Sequence, residues 1–151
     1  MREIDGPDAL KALVGEEVGV SQWMLIDQDR VNLFADATGD HQWIHVDSEA
    51  AAEGPFGTTI AHGYLTLSLL PPLMADVYSV AGRRMGVNYG LNKVRFPSPL
   101  TVGSRIRLRL SLGEVEDVSG NGVQITWLAT IEREGGAKPV CVAESVIRLY
   151  F

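Results

Sequence analysis

The chain has 151 residues, the length of one ordinary domain, so the sequence predicts a single domain over residues 1–151. Hydrophobic residues make up 46% of it and charged residues 21%, which excludes intrinsic disorder because enough apolar surface is available to offset the entropy lost on folding. With 13 basic and 19 acidic residues the net charge is −6, which disfavours nucleic acid or an anionic membrane surface as a partner.

The start of the chain and its single cysteine predict where the protein works. Residues 1–7 lack the apolar core of a signal peptide, and no apolar run reaches the ~20 residues that a membrane span requires. Cys141 has no second cysteine with which to form an internal disulfide, as is usual in a reducing compartment. We therefore expect a cytoplasmic protein without a membrane-spanning segment.

The first third of the chain predicts one short strand followed by two helices. Residues 18–26 predict the strand. Asp27 then has the chemistry of a helix N-cap, and Gly39 that of a residue that ends a helix. Between them, residues recur at the spacing of one helical face: Val31, Phe34, Ala35 and Thr38. We expect Ser48 to cap a second, short helix over residues 49–53.

Residues 64–80 form a strongly apolar segment in which Asp76 is the only charge. Its apolar residues form two stripes at helical spacing: Leu65, Leu69 and Leu73 in one, and Leu67, Leu70, Met74 and Val77 in the other. A helix that is apolar on several sides must be covered on several sides, so another part of the protein should wrap around it. Because Pro71 and Pro72 lack a backbone N–H, we expect the helix to kink or split there.

The second half of the chain alternates with a period of two residues, which predicts β-strands. We expect strands over residues 86–96, 106–112, 123–131 and 141–149. Turn residues at 119–122 and 135–136 separate the later strands at hairpin spacing, which favours antiparallel pairing. The sequence therefore predicts an α+β fold in which an antiparallel sheet curves around the apolar helix. Pairing across a twofold axis would protect the edges of that sheet, so we expect a dimer.

The histidines are the strongest sign of chemistry, because all three fall within residues 41–62, next to Asp40. A loop that begins after Gly39 would let Asp40 fold back toward His45. A carboxylate beside an imidazole can hold one water between them, one group removing a proton while the other donates one. A loop aspartate and a structural histidine fit the same spacing.

His62 and Gly63 stand at the start of the apolar helix, where unpaired N–H groups can stabilise a developing oxyanion. Gly63 has no side chain, so a ligand can approach its amide closely. The alternative is that Gly63 serves tight packing and His62 caps the helix.

A metal site is the competing interpretation of the histidines. His41 and His45 are four residues apart, and Asp40 or His62 would complete a ligand set. However, Gly39 and the lack of a helix-start signal before His41 disfavour a helix there, and we expect no metal.

Three other sets of residues have simpler interpretations. Cys141 lies in an apolar alternation and is expected in the core, without a nucleophilic role. Arg105, Arg107 and Arg109 share one face of a strand and are expected in solvent. Lys93 and Arg95 either lie on a solvated strand or bind the phosphate groups of a ligand.

Two segments resemble the signature of the MaoC-like (R)-specific enoyl-CoA hydratases. Residues 34–47 contain Gly-Asp, four residues, and His-x-Asp; residues 56–63 end in Ile-Ala-His-Gly. Residues 93–103 resemble a third segment of the family, so the resemblance covers most of the chain. The usual Asn-Pro of the first motif is Gln42-Trp43 here, which we expect to change how that loop is held and to reshape the acyl pocket.

The resemblance implies a hotdog fold, in which a curved antiparallel sheet wraps a long central helix and subunits dimerise through their sheets. It implies hydration of trans-2-enoyl-CoA to (3R)-hydroxyacyl-CoA, and the reverse dehydration, in fatty-acyl metabolism. Coenzyme A would be part of the substrate, with no separate cofactor. A hotdog thioesterase and a non-catalytic acyl-CoA-binding subunit stay open as alternatives.

The resemblance also assigns roles by position. Asp40 and His45 would hold the catalytic water, and the amide of Gly63 would bind the thioester oxygen. The other residues expected at the substrate site are His62, Trp43, Lys93 and Arg95.

Overall fold

The computed structural model describes residues 1–151 as eight strands and six helices. The strands are β1 (Arg2–Ile4), β2 (Glu17–Val20), β3 (Met24–Leu25), β4 (Tyr78–Val80), β5 (Met85–Arg95), β6 (Arg105–Val118), β7 (Gly122–Arg133) and β8 (Cys141–Tyr150). The helices are α1 (Gly6–Lys11), α2 (Gln28–Thr38), α3 (Trp43–Val46), α4 (Ser48–Ala52), α5 (Gly63–Ser68) and α6 (Leu70–Val77). None of these helices combines the length and the apolar character needed to cross a lipid bilayer.

The main sheet has six strands in the order β2-β6-β7-β8-β5, with β3 also paired to β6. Every pair in it is antiparallel, and β6, β7 and β8 are joined by the predicted hairpins. Asn121 adopts a positive φ of 55° in the first of these turns, a conformation that asparagine tolerates better than most residues. The predicted antiparallel strands are thus confirmed.

The predicted apolar helix is confirmed in position, and it is split into two helices next to Pro71 and Pro72, as expected. α5 and α6 meet at Leu69, and Pro71 and Pro72 lie in the first turn of α6, where a missing N–H breaks no helical hydrogen bond. α6 packs on β6 and α5 on β8, so the sheet wraps the helix pair. The extension of the helix to residue 80 was wrong, because residues 78–80 form β4, which pairs in parallel with β1.

The prediction of one continuous strand over residues 18–26 was wrong, because this segment forms two short strands, β2 and β3. The division falls at Ser21, whose buried hydroxyl accepts a hydrogen bond from the amide of Leu108 at 2.9 Å. The Leu108 amide therefore bonds to a side-chain oxygen instead of a backbone carbonyl of the neighbouring strand, and the two short strands pair separately with β6.

The helix boundaries near the histidines follow from capping. The Asp27 carboxylate accepts a hydrogen bond at 2.9 Å from the amide three residues later, and Gly39 ends α2 with a φ of 80°, as predicted. The cap predicted at Ser48 was wrong by one residue. Asp47 caps α4 instead, accepting a hydrogen bond from the amide three residues later at 3.0 Å.

The core lies between the sheet and the helix pair. On β6, the predicted inward face is fully buried, and Cys141 is buried with it, as expected of a core side chain. Burial raises the pKa of the Cys141 thiol to about 11. On the opposite face of β6, Arg105 and Arg109 form ion pairs with Glu134 and Glu17 at the surface.

Strand β5 is the exposed edge of the sheet. It pairs only with β8, and its other edge has no partner strand. Its large apolar side chains are 41–58% exposed: Met85, Val87, Tyr89 and Leu91. A long edge strand with an exposed apolar row is a surface that proteins usually cover.

Candidate active site

Asp40 begins the segment that connects α2 to α3. It follows Gly39, whose positive φ turns the chain out of the helix, and its side chain is exposed. Two long contacts at 3.4 Å involve it locally: its amide with the Thr38 hydroxyl and its carboxylate with the Gln42 amide. The carboxylate is therefore available to a ligand.

His45 lies on α3, a single helical turn that the sequence did not predict and that replaces part of the expected loop. Its ring is 7% exposed, and Nδ1 donates a hydrogen bond to the carbonyl of Ile60 at 2.7 Å. Because a carbonyl only accepts, this contact places the hydrogen on Nδ1 and leaves Nε2 for another partner. Gln28 donates to the His45 carbonyl at 2.8 Å, which ties α3 to α2.

His62 lies directly against His45. The two rings stack with centroids 3.8 Å apart and an interplanar angle of 24°, and Phe34 packs on His62 at 4.9 Å. His62 Nε2 donates to the carbonyl oxygen of Asp40 at 2.9 Å. The His62 ring is only 2% exposed, and its Nδ1 has no hydrogen-bond partner.

The structure therefore brings Asp40, His45 and His62 into one cluster, with one potential ligand atom from each within 4.8 Å of the others. These types of atoms can bind a divalent cation. However, a ligated metal lies near the plane of each imidazole, about 2.1 Å from its nitrogen. Two nearly parallel rings stacked 3.8 Å apart do not share such a point, so the ring geometry disfavours chelation of one metal by both histidines.

His41 is turned away from this cluster. Its Nε2 lies 2.9 Å from the carboxylate of Asp36, and both side chains are exposed. The hydrogen bond to Asp36 raises the pKa of His41 above its usual 6.5. His41 and His45 consequently do not form a common ligand pair.

Gly63 is the first residue of α5, so the helix offers no carbonyl four residues earlier to bind its amide. The ring of Phe96 fills the space where a side chain would stand, since a Cβ on Gly63 would be 3.0 Å from the nearest ring atom. Tyr64 meets Phe96 edge to face with centroids 6.3 Å apart. The amide of Gly63 is thus next to an aromatic wall that is partly exposed.

A cleft of about 360 Å³ lies between the helix pair and β5. One side consists of Leu67, Ser68, Leu70, Pro71 and Met74, and the other of Asn88, Tyr89, Gly90, Leu91 and Ser145. Leu67 is one helical turn beyond Gly63, so the cleft begins about 6 Å along the helix from that amide. Leu67 belongs to the second apolar stripe predicted for this helix, and it is only partly buried because its side chain lines the cleft.

The other predicted site residues, Trp43, Lys93 and Arg95, lie at the protein surface. Trp43 is 44% exposed, and its ring lies against Gly54, where a Cβ would be 2.9 Å from it. Lys93 lines a separate cleft of about 180 Å³ on the sheet, and no contact joins it to the histidine cluster. Arg95 is exposed and immediately precedes Phe96.

Comparisons with known proteins agree on one family. Residues 10–133 match the family model described as "MaoC like domain". The chain is 60% identical over 148 residues to 3-hydroxyacyl-thioester dehydratase Z of Mycobacterium tuberculosis, covering 98% of each chain. It is 45% identical over 145 residues to nodulation protein N of Rhizobium meliloti, covering 95% of this chain and 89% of the relative.

Solved structures show the same fold. The unliganded R-hydratase PhaJ1 from Pseudomonas aeruginosa superimposes with a TM-score of 0.68 and 26% identity, covering 89% of this chain and 82% of that one. A monoamine oxidase regulatory protein from Archaeoglobus fulgius superimposes with a TM-score of 0.78 and 22% identity, covering 99% and 97%. The expected hotdog architecture is therefore confirmed, with its central helix divided in two.

Proposed function

The chain belongs to the MaoC-like dehydratase family, and from that premise we propose that it interconverts trans-2-enoyl-CoA and (3R)-hydroxyacyl-CoA. The observation that carries this proposal is the placement of the Asp40 carboxylate beside the His45 ring, in a cluster within 4.8 Å. The 60% identity to a 3-hydroxyacyl-thioester dehydratase supports the substrate class. The likeness to an (R)-hydratase supports the stereochemistry.

Asp40 and His45 are proposed to hold one water between them. The carboxylate is exposed to the site, and His45 offers Nε2 because Nδ1 is engaged with Ile60. In the hydration direction, the water oxygen bonds to C3 of the enoyl group and the water loses a proton to this pair. The same pair returns a proton to C2, so the reaction leaves both side chains as they began.

The amide of Gly63 is proposed to donate a hydrogen bond to the thioester oxygen and so to stabilise the negative charge that develops there. An N–H at a helix start is a preorganised donor, and losing one such donor typically lowers kcat by about 10²–10³. The Phe96 ring lies against Gly63 beside this amide, and Tyr64 meets that ring edge to face.

The acyl chain is proposed to enter the cleft between the helix pair and β5. This cleft starts one helical turn from Gly63, and five of its ten lining residues are hydrophobic. Lys93 and Arg95, the exposed cations of β5, stay candidates for contacts with the phosphate groups of coenzyme A.

The protein is proposed to act as a homodimer through β5. This strand has an unpaired edge, and the apolar row from Met85 to Leu91 is 41–58% exposed in the single chain. Pairing of β5 with the same strand of a second copy would satisfy both the backbone groups and the apolar side chains. The mass in solution, measured by light scattering, tests this: Tyr89→Glu should halve it, and a monomeric wild type would contradict the proposal.

Hydration of crotonyl-CoA tests the reaction, followed as loss of the conjugated enoyl absorbance. Asp40→Asn and His45→Gln should each lower kcat/KM by about 10²–10⁴, the usual contribution of a general acid or base. Asp36→Asn and His41→Gln are matched controls, because they make the same chemical changes in the exposed pair nearby and should leave the rate unchanged. Wild-type rates in the first two variants would contradict the assignment.

Further measurements on the same substrate separate the alternative functions. Release of a free thiol, detected with a chromogenic disulfide, would indicate a thioesterase, and binding without turnover would indicate an accessory subunit. Chiral analysis of the 3-hydroxyacyl product tests the stereochemistry, and a (3S) product would contradict the proposal.

A further inference from the structure

We propose that His62 is a positioning residue: it keeps the side chains of Asp40 and His45 in their relative positions around the catalytic water. This inference rests on the proposed function, because it concerns the same pair of side chains. His62 touches both members: one through a hydrogen bond to the backbone and the other through ring stacking.

The hydrogen bond from His62 is the shortest contact that holds Asp40. Asp40 lies outside the helices and strands, and its other two hydrogen bonds are 3.4 Å long. The bond from His62 Nε2 to the Asp40 carbonyl measures 2.9 Å and comes from a buried ring. Loss of this donor would leave Asp40 itself with only the two hydrogen bonds of 3.4 Å.

Stacking by His62 fixes the plane of the His45 ring. The Ile60 carbonyl already holds Nδ1 of His45, but a single hydrogen bond leaves the ring free to tilt. The His62 ring lies against one face of it at 3.8 Å and is itself supported by Phe34. Nε2 of His45 is therefore held in one direction.

The remaining nitrogen of His62 argues against a purely structural role. His62 is the N-cap residue of α5, yet its side chain makes no capping hydrogen bond, and Nδ1 is buried without a partner. A buried polar atom without a partner is unfavourable, and an apolar side chain would avoid it. Apart from packing on Phe34, the ring donates a hydrogen bond to Asp40 and stacks on His45, and both of these residues belong to the proposed catalytic pair.

Two substitutions separate the hydrogen bond from the bulk of the side chain. In His62→Gln the amide nitrogen replaces Nε2 in position, so the donor to Asp40 is retained; in His62→Asn the shorter amide replaces Nδ1 and that donor is lost. Because a displacement of about 1 Å in a catalytic group can cost about 10²-fold, His62→Asn should lower kcat about 100-fold with KM nearly unchanged. His62→Gln should recover at least ~tenfold of that loss.

The control is the unfolding midpoint of each variant in guanidinium chloride, which must show that both are folded under assay conditions. Wild-type kcat in His62→Asn would overturn the inference, and equal losses in the two variants would overturn the positioning role of the hydrogen bond to Asp40. The motion of the backbone at residues 39–42, measured by ¹⁵N NMR relaxation, provides a readout that does not need turnover. That segment should be more mobile in His62→Asn than in His62→Gln, and equal mobility would overturn the inference even if the wild type proved to lack hydratase activity.

Discussion

The substitution Gly63→Ala tests the close approach of the Phe96 ring to the start of α5. A Cβ built on Gly63 stands 3.0, 3.1 and 3.2 Å from three atoms of that ring. Carbon atoms prefer separations of about 3.5–4.0 Å, so the ring would have to withdraw by several tenths of an ångström. Such overpacking usually lowers the free energy of unfolding by about 1–3 kcal/mol.

The lower end of this range applies, because Phe96 is 41% exposed and can move toward solvent. Replacing glycine by alanine also restricts the unfolded chain, which stabilises the native state by about 0.4–1 kcal/mol where the backbone permits. We therefore expect a net loss of at most about 1 kcal/mol in Gly63→Ala. In a Phe96→Ala background the clash is absent, and the same change should stabilise by about 0.5 kcal/mol.

Urea denaturation of the wild type, the two single variants and the double variant gives the coupling free energy directly. We expect a coupling of about 1–1.5 kcal/mol between the two positions, within the range seen for residues in contact. Additive effects within about 0.3–0.5 kcal/mol would show that the ring does not lie over Gly63. The rate of crotonyl-CoA hydration should fall in Gly63→Ala by no more than the ~10²–10³ expected for losing one oxyanion donor.

Three further predictions concern the cleft, the thiol and the exposed histidine. A Cβ on Gly90 meets no atom within 4 Å, so the variant Gly90→Leu should fold, with the new side chain filling the cleft. Its kcat/KM should fall by about tenfold or more for long-chain enoyl-CoA and stay unchanged for crotonyl-CoA. Equal losses of kcat/KM for both substrates would contradict this prediction. Because burial raises the pKa of Cys141 to about 11, a disulfide reagent at neutral pH should label it only after unfolding, and rapid labelling of the native protein would refute its burial. The raised pKa of His41 means that its pair with Asp36 contributes to stability below pH 6.5 and loses that contribution as the pH rises through the raised value. An NMR titration should show a lower pKa for His41 in Asp36→Asn, and an unchanged value would exclude the pair.

The strands of the second half could be predicted because each carries its own pattern. On β6, for example, Ile106 to Leu112 alternate between buried apolar and outward positions, and the pairing partner follows across a short turn. The break between β2 and β3 could not be predicted, because it depends on a hydrogen bond between Ser21 and Leu108, which are 87 residues apart. β1 and β4 were missed for the same reason, since three-residue strands exist only through their mutual pairing.

The division of the central helix illustrates a partial prediction. Pro71 and Pro72 indicated where the helix would be disturbed, and the break lies two residues before them, at Leu69. The end of the helix at Val77 was not visible, because residues 78–80 are as apolar as those before them. Their conversion into β4 depends on the presence of β1 beside them.

The candidate site could be predicted in its members but not in its arrangement. Gly39 and the spacing to His45 indicated that Asp40 would turn back, and the structure places the two side chains in one cluster. The sequence offered no sign that His62 would stack on His45 or donate to the Asp40 carbonyl, since both contacts join segments that are 17 or more residues apart in the chain. The α3 turn could not be predicted either, because four residues are too few to show apolar side chains recurring at helical spacing.

Kinetics of the double variant Asp40→Asn/His45→Gln test most directly whether the two side chains act on one water. Groups that act as a unit show strongly non-additive losses, because removing either one already disables both. We predict that the double variant hydrates crotonyl-CoA at about the rate of the slower single variant, roughly 10²–10⁴ below wild type. A double variant slowed by the product of the two single losses would show that Asp40 and His45 act independently and would contradict the shared water.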